Sequence, residues 1–141
     1  MSTLGVLLEE LLATTGASRV TLRRDLDGPS AFPIVEEALA DGVPSLRDER
    51  SVHLPTQPVV RELQRGRQVV QDDCAGAYDD PAFQAMLEAY GGLRAQIVTP
   101  ITVAGRLEAI LSLHELVAPR HWTAAEIADA TATAERVREL L

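Results

Sequence analysis

Residues 95–114 read AQIVTPITVAGRLEAILSLH, and this stretch carries the strongest structural signal in the chain. Two runs rich in aliphatic and β-branched residues, 95–103 and 107–114, flank the short segment 103–106, which contains Gly105. Such a pair of runs around a glycine-containing segment is typical of a β-hairpin. The stretch therefore predicts two long antiparallel strands as the centre of a sheet.

The segments before this hairpin alternate between helical and extended patterns. Residues 3–15 place leucines at helical spacing, and Gly16 follows where helices commonly end, so a helix is predicted there. Residues 17–25 alternate as a half-buried strand, and 32–39 predict a returning strand after a turn at 27–30. Further along the chain we predict a loop at 40–58, a helix at 58–66, a strand at 68–71, an irregular stretch at 75–80 and a helix at 81–90.

A capped helix follows the hairpin. Thr123 and Glu126 have the spacing of a capping box, in which each side chain satisfies a backbone N–H of the other's residue. The apolar residues beyond it recur at steps of three and four, which is typical of a helix–helix seam. Helices and an antiparallel sheet in this order indicate the α+β class.

Composition and charge exclude several functions. The 141 residues are 46% apolar, which supports a packed core, and carry a net charge of −8, which argues against nucleic acid as a partner. All basic residues other than histidine are arginines, so lysine-based mechanisms are absent. No apolar run approaches the length of a membrane span, and the N-terminal residues lack the features of a signal peptide. We therefore expect a single cytoplasmic domain over residues 1–141, with no membrane or nucleic-acid partner.

The residues quoted above resemble the GAF domain, a small ligand-sensing module related to the PAS domain. The resemblance rests on residues 93–101 and 105–114, followed by Pro119-Arg120-His121-Trp122-Thr123, and on the acidic turn at 69–73. It implies a central antiparallel sheet of five or six strands flanked by helices, and it is strongest toward the bacterial phytochrome-like branch. The terminal helices of such domains cover one face of the sheet.

The resemblance also implies a pocket on the other face, roofed by loops and the middle helix. We predict that an unidentified small organic molecule binds there and shifts the terminal helices, so that the chain is a sensor rather than an enzyme. Its effector is expected to be a separate protein, or the chain to be a fragment of a larger sensor. The predicted ligand-binding residues come from the middle helix, the adjoining loops and the hairpin: Asp72, Cys74, Tyr78, Phe83, Met86, Leu87, Tyr90, Thr99 and His114. A homodimer is predicted through the terminal helices, at Leu4, Leu8, Leu11, Ile127, Ala130, Ala134 and Val137.

Three alternatives stay open. A tetrapyrrole, haem or bilin, is one candidate ligand, although the Cys-His pair that attaches bilins in related domains is missing and Cys74 is a lone thiol. A structural dimerisation domain with a filled pocket is the second. The third is a free methionine sulfoxide reductase, which the single cysteine disfavours because that chemistry needs a nucleophilic and a resolving thiol. Scattered histidines at 53, 114 and 121 show no metal-ligand spacing.

Overall fold

A computed structural model of the chain describes residues 2–26 and 31–141, so the turn predicted at 27–30 lies outside the described residues. The helices and strands follow the chain in the order α1 (Thr3–Thr15), β1 (Arg19–Arg24), β2 (Ile34–Leu39), α2 (Pro58–Gln64), β3 (Val69–Gln71), α3 (Pro81–Ala89), β4 (Ala95–Val103), β5 (Arg106–Glu115) and α4 (Ala124–Glu139). Short 3-10 helices occupy Leu54–Thr56 and Cys74–Gly76 in the loop regions. The predicted α+β class is confirmed.

The strands form one antiparallel sheet with the order β2-β1-β5-β4-β3. The β4–β5 hairpin turns at Ala104 and Gly105, whose φ values are 51° and 78°. Positive φ at both central positions is the geometry that matches the twist of two hairpin strands. Gly16 likewise adopts the left-handed conformation that ends α1, with φ 66°. These local signals explain why β4 and α1 end where the sequence predicts.

Different helices cover the two faces of the sheet. α1 and α4 pack on one face, which we call the helix face, around a core that includes Leu8, Leu22 and Leu111. α2, α3 and the 40–58 loop cover the opposite face, which we call the inner face, around a second core that includes Leu63 and Phe83. Both faces of the sheet are therefore packed against other elements of the same chain.

The connector from β5 to α4 is fixed by buried and paired groups. Trp122 is almost fully buried, and its indole Nε1–H donates to the Gln71 carbonyl at 3.1 Å. The Arg120 guanidinium lies 4.5 Å from the ring centroid of Trp122 and pairs with Glu115 and Glu126. The predicted capping box is present, with Thr123 and Glu126 each accepting a backbone N–H of the other. These contacts fix the start of α4 against the end of β5.

The structure corrects the residues predicted for a dimer contact. Most of them are buried within one chain between α1, α4 and the sheet, and the rest pack against that core: Leu8, Leu11, Ala130, Ala134 and Val137 are buried, and Leu4 and Ile127 are partly buried. The alanine seam allows α4 to approach α1 and β4 of its own chain. A dimer through the terminal helices, which stays a prediction, would have to use their outward sides.

None of the helices in the described ranges 2–26 and 31–141 is both long enough and apolar enough to span a membrane.

Candidate functional site

The inner face of the sheet is unusually polar for a buried surface. β1 contributes Arg19, Thr21 and Arg23, because alternate residues of a strand point to the same face. β5 contributes Ser112 and His114 beside them, and all of these side chains are buried. The sequence predicts β1 as half-buried, with this polar row facing solvent. In the structure both faces are buried, because α3 and the 40–58 loop cover the polar row.

A small cavity of ≈ 30 Å³ separates this face from α2 and the end of α3. That volume holds about one or two water molecules. The roof consists of apolar side chains of α2 together with Met86 and Tyr90, and the floor is mostly polar. The residues that enclose the cavity are Thr21, Arg23, Leu54, Gln57, Val59, Val60, Leu63, Met86, Tyr90, Gln96, Val98, Ile110, Ser112 and His114.

Gln57 lines this cavity and carries a buried acceptor. Its side chain is only 2% exposed, and its Nε2 donates to the Ala82 carbonyl at 3.3 Å. Its Oε1 has no hydrogen-bond partner within residues 2–26 and 31–141. A buried carbonyl without a donor costs roughly 1–3 kcal/mol, so this oxygen is a position where a bound group is expected.

His114 supplies a donor to the same cavity. Its Nδ1 accepts a hydrogen bond from Arg19 Nε at 2.9 Å, and burial together with the nearby Arg19 and Arg23 charges lowers the His114 pKa well below its usual value. The ring is therefore neutral at pH 7, and because Nδ1 accepts, the proton lies on Nε2. The cavity thus offers one N–H donor and one carbonyl acceptor to a bound molecule.

Arg19 holds this arrangement together. Its guanidinium is fully buried and also donates to the carbonyls of Pro44, at 2.9 Å, and Tyr90, at 2.7 Å. Burial lowers the pKa of Arg19 to about 10, which still leaves it protonated at pH 7. One cation therefore connects β1, β5, the 40–58 loop and the end of α3.

An open cleft of ≈ 420 Å³ adjoins the cavity. The two spaces share Arg23, Leu54 and Tyr90 as walls. Apolar side chains from β2 and the 40–58 loop line most of the remaining cleft, together with charged groups at its rim: Ala31, Pro33, Ile34, Leu46, Arg47, Glu49, Arg50 and Val52. A volume in this range suits a small organic molecule.

The structure brings only part of the predicted site together. Met86, Tyr90 and His114 line the cavity. Phe83, Leu87 and Cys74 lie in the core of the inner face but do not reach the cavity, and Tyr78 packs edge-on against Phe83 with ring centroids 5.0 Å apart. They support α3 rather than line the space beneath it.

Two predicted residues lie elsewhere. Thr99 is on the helix face, where its hydroxyl accepts a hydrogen bond from Gln68 Nε2 at 2.9 Å, and Gln68 Nε2 also reaches Thr131 on α4. This placement corrects the prediction, because strand alternation puts Thr99 on the side opposite to Gln96 and Val98. Asp72 is at the surface, where its carboxylate pairs with His121 at 2.8 Å, and the hydrogen bond to His121 lowers its pKa. Asp72 therefore anchors the connector before α4.

Sequence reasoning missed Arg19, Arg23, Gln57 and Gln96 as members of the site. The signal for the two arginines was present, because Arg19, Thr21 and Arg23 occupy one face of a strand at a spacing of two. The 40–58 loop helps to cover that face. Its irregular sequence pattern does not predict where the loop lies in the fold. No signal of this kind exists for Gln57, which lies just before α2.

Cys74 is a buried, unreactive thiol in this structure. Its side chain has no exposed surface, and burial and the charge of Asp73 raise its pKa to about 12. Within the described ranges, no group of three or more His, Cys, Asp or Glu side chains could hold a metal ion.

We expect the Cys74 thiol to react about a thousandfold more slowly in the folded chain than in the denatured chain at pH 8, because only the thiolate reacts and its fraction is small. The measurement is the rate of colour release with a disulfide reagent, with and without denaturant. Equal rates in the two conditions would show that Cys74 is accessible and ionised in the folded protein.

The family model described as GAF domain matches residues 2–140. No curated protein sequence matches the chain. Among solved structures, the chain is similar to the GAF domain of the cyanobacteriochrome TePixJ, with a TM-score of 0.78, 22% identity, and 98% of this chain and 89% of that chain covered.

Two further solved structures are similar. One is the blue-light absorbing form of the Thermosynechococcus elongatus PixJ GAF domain, with a TM-score of 0.73, 23% identity, and 97% of this chain and 86% of that chain covered. The other is a far-red absorbing dark state with bound biliverdin, with a TM-score of 0.71, 19% identity, and 94% of this chain and 83% of that chain covered. These TM-scores show a shared fold, and the family model covers nearly the whole sequence. The chain belongs to the GAF domain family.

Proposed function

We propose that the chain is a sensory GAF domain that binds a small organic molecule between the inner face of its sheet and α2. The observation that carries this proposal is the buried Gln57 Oε1, which has no partner in the described part of the chain, in the lining of a small cavity that adjoins a much larger cleft. A ligand entering through the cleft would place a polar group in the cavity, between Gln57 and the His114 N–H.

The small size of the cavity has a mechanical consequence. At ≈ 30 Å³ it accommodates a polar group of a few atoms, so a ligand that enters the cavity with more of its body would have to move α2 and the preceding 3-10 helix outward. α2 is short and rests on the sheet through Val59, Val60 and Leu63. Short elements with few buried side chains open at low free-energy cost.

The route to the terminal helices runs through the sheet. β1 carries Thr21 and Arg23 toward the cavity, and Val20 and Leu22 on its other side pack in the core beneath α1 and α4. A ligand that shifts β1 therefore acts on both faces at once. We infer that the signal is a shift in population between two positions of the terminal helices.

The proposal assigns a binding role rather than a catalytic one. A free methionine sulfoxide reductase needs a reactive thiolate and a resolving thiol, whereas Cys74 is the single cysteine and is held protonated by burial. We also propose, from the sequence, that the protein acts in the cytoplasm, with a homodimer formed through outward-facing residues of α1 and α4.

Exchanging Gln57 for leucine tests this proposal. Gln57→Leu removes a buried acceptor that has no partner among the described residues, and it also removes the Nε2 hydrogen bond to the carbonyl of the exposed Ala82. Because these two effects oppose each other, we expect stability to change by less than about 1 kcal/mol. The same change should weaken ligand binding. Native mass spectrometry of protein purified from its own host measures the retained ligand as a mass excess over the denatured chain, and thermal unfolding measures stability.

Gln71→Leu is the matched control. Gln71 is also a buried glutamine, but its Oε1 accepts from Gln96 Nε2 at 2.9 Å, so its loss should destabilise the fold by about 1–2 kcal/mol. A parent protein without any mass excess, or a Gln57→Leu variant that retains the ligand fully, would contradict the proposal.

A tetrapyrrole is a second candidate ligand, favoured by the fold shared with a biliverdin-bound domain. The polar groups that line the cavity support it, because a pyrrole N–H could donate to Gln57 Oε1 and a ring carbonyl could accept from His114. The buried state of Cys74 argues for non-covalent binding. A visible absorption band that survives desalting after addition of biliverdin or haemin would support this candidate, and an unchanged spectrum would exclude it.

A further inference from the structure

Arg23 is a buried cation without an anionic partner. Its side chain is 9% exposed, and its guanidinium donates to the Phe32 carbonyl at 2.9 Å and to the Tyr90 hydroxyl at 3.2 Å. Considering the described ranges only, no Asp or Glu oxygen lies within 4 Å of its guanidinium nitrogens. A buried charge is costly unless it is paired, so this position is prepared for an anion.

The location of Arg23 links that charge to the site. Arg23 lines both the cavity and the cleft, at the point where the two spaces meet. A molecule that moves from the cleft into the cavity therefore passes the Arg23 guanidinium before it reaches the polar floor of the cavity.

The rest of the cleft combines apolar side chains with a charged rim. Among the described residues, Arg47, Arg50 and Glu49 lie at that rim. The Glu49 carboxylate accepts from the backbone N–H and the hydroxyl of Ser51, each at 2.6 Å, which holds it near its own loop. Arg47 lies 3.7 Å from a Glu36 oxygen and 3.9 Å from a Glu37 oxygen, so the rim carries mixed charge and the buried cation of the cleft is Arg23.

We propose that the ligand of this site is an organic anion, whose carboxylate pairs with Arg23 and whose apolar body occupies the cleft against Ile34, Leu46 and Leu54. This inference rests on the proposed function and names the chemical class of its ligand. Arginine suits the task because its planar fork matches a carboxylate and its charge persists when buried. A small carboxylic acid and a tetrapyrrole propionate share this chemistry, so the test separates them.

Calorimetric titration of the parent protein with matched pairs of compounds tests the charge. Octanoate and 4-phenylbutyrate carry a carboxylate, and octanamide and 4-phenylbutyramide have the same bodies without the charge. Biliverdin and its dimethyl ester form a third pair. We expect each carboxylate that binds to bind about thirtyfold or more tightly than its neutral counterpart, because a buried charge pair loses that much when one member is removed.

Substitution of Arg23 tests where the carboxylate of the ligand binds. Arg23→Gln should weaken carboxylate binding by about the same factor and abolish the preference over the amide. Arg136→Gln, the same charge change at an exposed site on α4, should leave both unchanged. Arg23→Lys keeps the charge without the fork and should show intermediate affinity, and circular dichroism of each variant confirms that it is folded.

The outcomes separate this inference from the proposed function. Binding confined to the first two pairs identifies a small acid, and binding confined to biliverdin identifies a tetrapyrrole propionate. Equal binding of acid and amide, unchanged binding by folded Arg23→Gln or Arg23→Lys protein, or no binding by any compound overturns the anion assignment. The proposed function fails separately, when protein from its own host carries no mass excess.

Discussion

Ala134→Glu should strongly destabilise the folded protein. Ala134 is 3% exposed and lies in an apolar core between α4, α1 and the sheet. A glutamate there must bury a carboxylate without a partner and force the two helices apart, at a combined cost of about 4 kcal/mol or more. Because domains of this size are stable by about 5–15 kcal/mol, we expect the melting temperature to fall by roughly 15 °C or the cooperative transition to disappear.

The same substitution separates core packing from dimerisation. If Ala134 lay in a contact between two subunits, the variant would stay folded and its mass in light scattering would fall. Ala128→Glu is the matched control, because Ala128 is on the exposed side of the same helix. We expect Ala128→Glu to unfold like the parent, within about 0.5 kcal/mol. A lower mass for this control would place a subunit contact on the outward side of α4.

Arg19→Met should destabilise the fold by about 3 kcal/mol, which corresponds to roughly 10 °C in melting temperature. Methionine fills much of the same volume but leaves the Pro44 and Tyr90 carbonyls and His114 Nδ1 without their donor. These acceptors are on three separate segments, so the loss should loosen the 40–58 loop and the end of α3 together. Hydrogen exchange of the backbone amides around Pro44 and Tyr90 would report that local opening.

The control for this prediction is Arg65→Met. Arg65 is on the outer side of the region just after α2, where its side chain is 64% exposed and lies 3.6 Å from a Glu62 oxygen. Exposed ion pairs of this kind contribute about 0–1 kcal/mol, so the melting temperature should barely change. Similar losses in Arg19→Met and Arg65→Met would show that the buried hydrogen bonds of Arg19 add nothing specific to the fold.

Most of the secondary structure could be predicted from the sequence, because its signals are local. α1 begins and ends at the predicted residues, since leucine spacing and Gly16 suffice to define it. The β4–β5 hairpin and the capping box before α4 follow from residues within a few positions of one another. The strand predicted at 32–39 is shorter, as β2 begins at Ile34, and strand boundaries depend on pairing with a distant partner.

The site was predictable only in outline. Of the residues that the sequence predicts for the site, Met86, Tyr90 and His114 line one cavity, because α3 and β5 both border it. The sequence could not indicate that Gln57 and Arg23 complete the site, since both reach it from loops and strands far apart along the chain. Thr99 failed for a simple reason: a single position along β4 changes which face of the sheet a side chain reaches.

By itself, then, the sequence determined where helices and strands form, because periodicity, capping and turn chemistry act within a few residues. The tertiary structure alone decided that both faces of β1 are buried, and it decided which polar side chains meet under α2. It also decided that the alanine seam packs within one chain. Those properties depend on strand order and on what covers each face, and both are set by contacts between distant parts of the chain. The physical reason is that the effect of a buried polar group such as Arg23 depends on the hydrogen-bond and charge partners around it. Those partners are brought together only in the folded chain.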